Sequence, residues 1–121
     1  MENRRDERRE LKYPVIGKAG IYKFQKQYIS GKSALIHVEN FSLKGLRLSS
    51  SLDFPVMTGL ILSIEFQLFG IENRILGSIV WQRKNKNEFT YGFEILSANM
   101  GYIQSIASLT KPVHKITKVA Q

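Results

Sequence analysis

The chain has no cysteine in its 121 residues. That absence excludes disulfides, zinc–thiolate centres and thiol nucleophiles together. It also lacks a long hydrophobic run. The longest apolar stretch, Phe54 to Ile64, is interrupted by Pro55, Thr58, Gly59 and Ser63, which makes it too short and too polar to span a bilayer. The first residues are charged and no apolar segment follows them, so a secretory leader is not expected. There is no internal repeat and no low-complexity tract. Histidine is scarce, with two residues, His37 and His114. One falls on a strand-like run and the other near the end of the chain, and neither has the company of a catalytic base. The only carboxylate cluster, Asp6, Glu7 and Glu10, lies among arginines that would neutralise it. It reads as ion pairs within the segment and not as an acid–base pair or a metal site. Catalysis is therefore not expected, and no resident cofactor or metal is implied.

What remains suits one globular domain. Apolar residues make up 43% and aromatic residues 11%, a balance that supports a buried core. The formal net charge is +8, which favours an anionic partner. Its distribution qualifies that inference. Met1 to Lys12 holds five basic residues (Arg4, Arg5, Arg8, Arg9, Lys12) against four acidic ones (Glu2, Asp6, Glu7, Glu10). The excess sits between Tyr13 and Arg47 and at Lys111, Lys115 and Lys118, not in a polybasic block of the kind that coats DNA. Nucleic acid is accordingly a less favoured partner. Asn40-Phe41-Ser42 matches a glycosylation sequon, relevant only in a secreted protein. The expected location is cytoplasmic, with no membrane insertion.

The hydrophobic period is two through most of the chain. Tyr13 to Phe24 reads as a strand with Gly17 and Gly20 as bulges or kinks. Ala34 to Glu39 is a second strand, and Leu46-Arg47-Leu48 begins a third. Leu60, Leu62, Ile64, Phe66 and Leu68 alternate with Ser63, Glu65 and Gln67 in the cleanest half-buried strand of the chain. Arg74 to Gln82 is a fifth, with Ile75, Gly77, Ile79 and Trp81 assigned to one face. Lys84 to Glu88 is a polar hairpin turn, and Phe89, Tyr91, Phe93 and Ile95 mark a sixth strand. After Leu96 the period lengthens. With Ser97 as N-cap, Met100, Ile103, Ile106 and Ala107 fall on one helical face that runs to about Leu109, before Pro112. Short strands at close spacing point to an antiparallel sandwich or barrel with one helix plugging or flanking it.

Three segments carry possible ligand chemistry. Ser30-Gly31-Lys32-Ser33 looks like the end of a phosphate loop, but the glycine that should lie five residues before Gly31 is Lys26, so the pattern fails and a hairpin turn is the better reading. Arg4-Arg5-Asp6-Glu7-Arg8-Arg9 uses arginine for every cation, although lysine is common elsewhere in the chain. Guanidinium presents a flat fork that grips phosphate, pairs with guanine O6 and N7, and stacks on bases. Asn40-Phe41-Ser42-Leu43-Lys44-Gly45 ends a strand with turn-forming residues and a glycine suited to positive φ. Either segment alone is commonplace, as a soluble tail or an ordinary turn.

Taken in this order they are more specific. Arg-Arg-x-x-x-Arg before the first strand, followed by Asn-x-Ser-x-x-Gly after the second, resembles the PilZ domain, a bacterial receptor for cyclic di-GMP. Gly45-Leu46-Arg47-Leu48, Gly77-Ser78-Ile79-Val80-Trp81, Tyr91-Gly92-Phe93 and the closing helix resemble the family's later landmarks. The resemblance implies an all-β fold, a six-stranded antiparallel β-barrel with a C-terminal α-helix. It implies an arginine-rich ligand-binding arm over residues 1–12, expected to be flexible, a barrel with its helix over 13–110, and a basic, disordered tail over 111–121. Cyclic di-GMP would lie on the outside of the barrel, held by Arg4, Arg5, Arg8 and Arg9 from the arm and by Asn40, Ser42 and Gly45 from the turn. Arg4/Arg8 and Arg5/Arg9 both satisfy the four-residue spacing; the second pair is favoured by the closeness of Arg9 to the strand. Asn40 stands where the family more often has aspartate. The implied function is a non-enzymatic receptor module that changes conformation on binding and signals to a downstream protein. The alternatives are a small nucleic-acid-binding barrel that stacks bases on Tyr22, Phe24 and Phe41, or an adaptor of the same fold that binds no nucleotide.

Overall fold

The computed structural model of the protein describes residues 9–28 and 33–110. Seven strands and one helix follow in chain order: β1 (Arg9–Phe24), β2 (Gln27–Tyr28), β3 (Ser33–Phe41), β4 (Gly45–Ser50), β5 (Leu60–Leu68), β6 (Ile71–Lys84), β7 (Phe89–Ala98) and α1 (Met100–Thr110). All pairings are antiparallel. Six of the strands form a ring in the order β1-β3-β4-β7-β6-β5, and β1 returns to pair with β5. Of the two architectures left open by periodicity, the barrel is therefore the one adopted. β2 is a two-residue addition to the end of β1. Closure leaves the long strands no continuous open edge.

Alternation dictates the interior. Along β5, Leu60, Leu62, Ile64, Phe66 and Leu68 are all buried and the residues between them are not. Ala19, Ile36, Val38, Phe41, Leu46, Leu48, Ile75, Ile79, Tyr91 and Phe93 complete the strands' share of the core. Each large side chain so placed contributes about 1.5–3 kcal/mol relative to exposure. Where β1 crosses β5 the strands approach closely: a Cβ on Gly17 would lie 2.6 Å from the Glu65 carbonyl oxygen. Gly17 is thus required by contact with a neighbouring backbone.

Several local expectations need correction. β1 starts at Arg9 and not Tyr13, because Arg9 and Glu10 already pair with Phe41 and Asn40. β6 spans Ile71–Lys84, longer than Arg74 to Gln82. Trp81 does not share the face of Ile75, Gly77 and Ile79. A register shift between Ile79 and Trp81 rotates the indole outward, where it is 41% exposed. The helix cap is Asn99, not Ser97. Its Oδ1 accepts from the amides of Tyr102 and Arg74, and its Nδ2 donates to the Glu72 carbonyl.

The helix also buries a different face from the one periodicity suggested. Tyr102, Ser105 and Ile106 are buried, whereas Met100, Ile103 and Ala107 are exposed. Gly101 explains the rotation: a Cβ there would lie 2.2 Å from the Glu72 carbonyl oxygen, so the helix rests directly on the β6 backbone at this point. The turn expected at Ser30–Lys32, His114 and the tail over 111–121 lie outside the described residues.

Candidate functional site

The Asn40–Gly45 segment joins β3 to β4 at one rim of the barrel. Its fold follows from its sequence. Phe41 is fully buried and anchors the end of β3, and Ser42 then begins a turn that bonds to itself. The Ser42 amide donates to the Gly45 carbonyl at 2.8 Å. The Ser42 hydroxyl oxygen accepts from the amides of Lys44 and Gly45 at 3.3 and 3.2 Å, and the hydroxyl lies 3.4 Å from the Gly45 carbonyl as a donor. The turn is also tied outward. The Lys44 carbonyl accepts from the Ile95 amide of β7 at 2.8 Å, and the Ser42 carbonyl accepts from the Tyr102 hydroxyl of α1 at 2.6 Å.

This differs from the expected picture of a turn closed by a left-handed glycine. Among the described residues the positive-φ glycines are Gly59 and Gly70. Gly45 is not one of them; it is already the first residue of β4, paired with Glu94. The turn is shaped by the Ser42 side chain. Asn40 is 5% exposed and Ser42 0%, whereas Leu43 and Lys44 form the exposed crest.

The arginine segment meets this rim through its last residue. Arg9 faces Phe41 and Glu10 faces Asn40 across the β1–β3 ladder. Asn40 in turn faces Arg47 of β4, whose Nε lies 3.1 Å from Glu39 Oε1. Arg4, Arg5 and Arg8 lie outside the described residues. Beyond the turn, a shallow pocket of about 240 Å³ is lined by Lys44, Gly45, Val80, Trp81, Gly92, Phe93 and Glu94. Its wall is the Trp81 indole lying on Gly92, where a Cβ would come 2.0 Å from Trp81 Nε1. The Arg83 guanidinium carbon sits 5.7 Å from the indole centroid, a cation–π distance. The rim thus offers an exposed aromatic face beside cationic and backbone groups.

The larger groove, about 370 Å³, lies elsewhere, over β1 and β5. Lys18, Glu65 and Glu72 supply its charged lining, and none of its residues belongs to the Asn40–Gly45 turn.

A PilZ domain family model matches residues 2–111. The chain belongs to the PilZ domain family. The match spans both motifs, the barrel and the helix. No curated protein matches the chain. PilZ domains are in general cyclic di-GMP-binding modules.

Within this PilZ domain, two features were missed by sequence reasoning. Trp81 is expected on one face with Ile75, Gly77 and Ile79 but leaves it; its pairing with Gly92, which offers no side chain to cover it, is the available signal. Tyr102 was not singled out, and nothing local marks its hydroxyl as the partner of a carbonyl sixty positions earlier. The aromatic trio proposed for base stacking is also dispersed. Phe41 is 0% exposed and cannot stack on a ligand, Phe24 is half-buried, and Tyr22 is exposed. His37 is exposed on β3. Among the described residues no three His, Cys, Asp or Glu side chains converge as metal ligands, and no helix is long and apolar enough to cross a membrane.

Proposed function

We propose that this PilZ domain is a receptor for cyclic di-GMP, without catalytic activity, that passes the binding event to a protein partner in the cytoplasm. One observation carries the reading. The β1–β3 ladder sets Arg9 opposite Phe41, so the end of the arginine motif and the start of the Asn40–Gly45 turn share one rim although some thirty residues separate them. A ligand with two phosphates and two guanines can then be gripped from both sides.

In this proposal Arg5 and Arg9 supply bidentate contacts to phosphate and to guanine Hoogsteen edges, and Arg4 and Arg8 brace them. Asn40 takes a guanine edge. It can accept only through its amide oxygen, where aspartate would accept through two, and it removes a charge that would repel phosphate. Ser42 and Gly45 act by shaping the rim, because the Ser42 hydroxyl is already engaged within the turn. Trp81 offers a face for stacking, worth about 1–3 kcal/mol per base where measured for nucleic acids. Binding closes the arm over the ligand, and the combined surface is what the partner reads.

Calorimetric titration with cyclic di-GMP tests the reading. The wild-type chain should give saturable, stoichiometric binding. Arg5→Ala and Arg9→Ala should each remove roughly 1–3 kcal/mol, about five- to a hundredfold in affinity, while the melting temperature without ligand hardly moves. Wild-type affinity in both variants would show that the arm is not the clamp. Steeply salt-dependent binding to oligonucleotides of many sequences, with no response to the dinucleotide, would favour the nucleic-acid alternative.

A further inference from the structure

The helix reaches the rim through Tyr102. Tyr102 is fully buried, and its hydroxyl donates to the Ser42 carbonyl at 2.6 Å. Its ring is wedged edge-on between Phe41, 5.9 Å away at 83°, and Phe66, 6.3 Å away at 82°. The base of the helix is equally fixed. The Asn99 cap ties it to Arg74 and Glu72, and Gly101 seats it on the Glu72 backbone. A rigid strut therefore runs from β6 through Tyr102 to the turn.

We infer that Tyr102 is a positioning residue for the ligand rim, acting through the Ser42–Leu43 peptide; the inference rests on the receptor reading above. A peptide unit is planar and trans, so its C=O and N–H point in opposite directions. With the Ser42 carbonyl turned inward to Tyr102, the Leu43 N–H is turned outward at the exposed crest. The next two amides, of Lys44 and Gly45, are already given to the Ser42 hydroxyl. The strut therefore presents the Leu43 N–H as a fixed donor for an anionic oxygen of the ligand. Without the phenol, the buried carbonyl loses its partner and the peptide gains reason to rotate toward water. Apparent affinity then falls in proportion to the fraction of molecules that keep the competent orientation.

The test compares Tyr102→Phe with Tyr91→Phe. Tyr91 is also fully buried, and its hydroxyl donates to the Leu52 carbonyl and accepts from the Phe54 amide and from Gln82 Nε2, away from the Asn40–Gly45 turn. Both variants keep the ring and lose one buried hydroxyl, so both should melt lower, Tyr91→Phe at least as much because its hydroxyl has three partners. Only Tyr102→Phe should weaken cyclic di-GMP binding, by about tenfold if the competent fraction falls to one tenth. Only it should speed amide exchange at Leu43, Lys44 and Gly45.

Equal affinity in the two variants, with equal exchange at the three amides, would overturn the inference. If the wild-type chain binds no cyclic di-GMP, the receptor reading fails, and the positioning role is decided by exchange at those amides alone. If Tyr102→Phe does not fold, the hydroxyl proton resonance of wild-type Tyr102 replaces it. Saturating cyclic di-GMP should shift that resonance and leave that of Tyr91 in place; an unmoved Tyr102 signal would overturn the inference.

Discussion

Two polar turns join neighbouring strands of this barrel, and they are built in opposite ways. The turn at Asn40–Gly45 is buried at Asn40, Ser42 and Gly45, bonded to itself through Ser42, and held from outside by Ile95 and Tyr102. The turn at Asn85–Glu88 is exposed throughout. The Asn85 amide donates to the Glu88 carbonyl at 2.8 Å, and the Asn85 side chain donates to Thr90 Oγ1 at 2.9 Å. Both segments read from sequence as runs of turn-forming residues. Propensity marks a turn, but only burial and ties to distant elements separate a rigid rim from a connector that water can satisfy.

The same contrast runs along the β6–β7 ladder, and two glycines test it most severely. Near the buried rim, a Cβ on Gly77 would lie 2.0 Å from the Glu94 carbonyl oxygen and 2.7 Å from the Phe93 ring. On the same ladder, the three atoms nearest a Cβ on Gly92 all belong to the Trp81 side chain. Gly77→Ala must move backbone within a ladder and should cost about 3 kcal/mol, the upper part of the range for overpacking. Gly92→Ala needs only an exposed indole to swing aside and should cost nearer 1 kcal/mol, with a red shift of Trp81 emission. Urea melts of both proteins measure the difference. Equal losses would mean that the Trp81 indole yields no more readily than the Glu94 backbone.

Ser42→Ala against Asn85→Ala is the next test. Removing the Ser42 hydroxyl takes a partner from the Lys44 and Gly45 amides, the second of them buried, at about 1–3 kcal/mol. Removing the Asn85 amide takes one part-buried bond from Thr90 Oγ1 at an exposed hairpin and should cost less, about 0.5 kcal/mol. A costly Asn85→Ala would break the distinction between rim and connector.

The smallest effect should come from the turn between β1 and β2, where Gln25 and Lys26 have φ of 49° and 74°. Both are left-handed, as a two-residue hairpin of this twist requires, and glycine is preferred at the second position. Lys26→Gly should raise stability by about 0.5 kcal/mol through relief of that conformation. A loss instead would show that the lysine side chain contributes packing there.

Much of the fold was legible because period-two burial is a local signal. β5 was read to its exact limits from Leu60 to Leu68, and the shift to a helix after β7 was visible in the spacing. Errors arose where a distant contact overrode the period. Trp81 left its expected face at a register shift. The helix turned Tyr102 inward because Gly101 fits against the Glu72 carbonyl and the phenol meets Ser42. Asn99 displaced Ser97 as the cap because it reaches both the helix and β6. At the site, the turn was legible in Asn40, Ser42 and Gly45, but not the means by which it is held. A glycine with positive φ was expected, and a serine hydroxyl does that work. The Tyr102 tie spans sixty residues of sequence and leaves no local trace.

The closure of β1 onto β5 has a kinetic consequence. Strands β5, β6 and β7 form a meander whose turns, Phe69-Gly70 and Asn85–Glu88, bring together residues adjacent in sequence. Such pairings form early, because little chain entropy opposes them. The seam between β1 and β5 joins Gly17 to Phe66 and Phe24 to Leu60, across a stretch of chain that includes β2, β3 and β4, and belongs to the slow part of folding. The rim where Arg9 meets Phe41 lies on the same strand as that seam, and Tyr102 reaches it only once α1 has docked. A refolding chain should therefore complete the meander before the rim, and the tie from Tyr102 to Ser42 should be among the last contacts it gains.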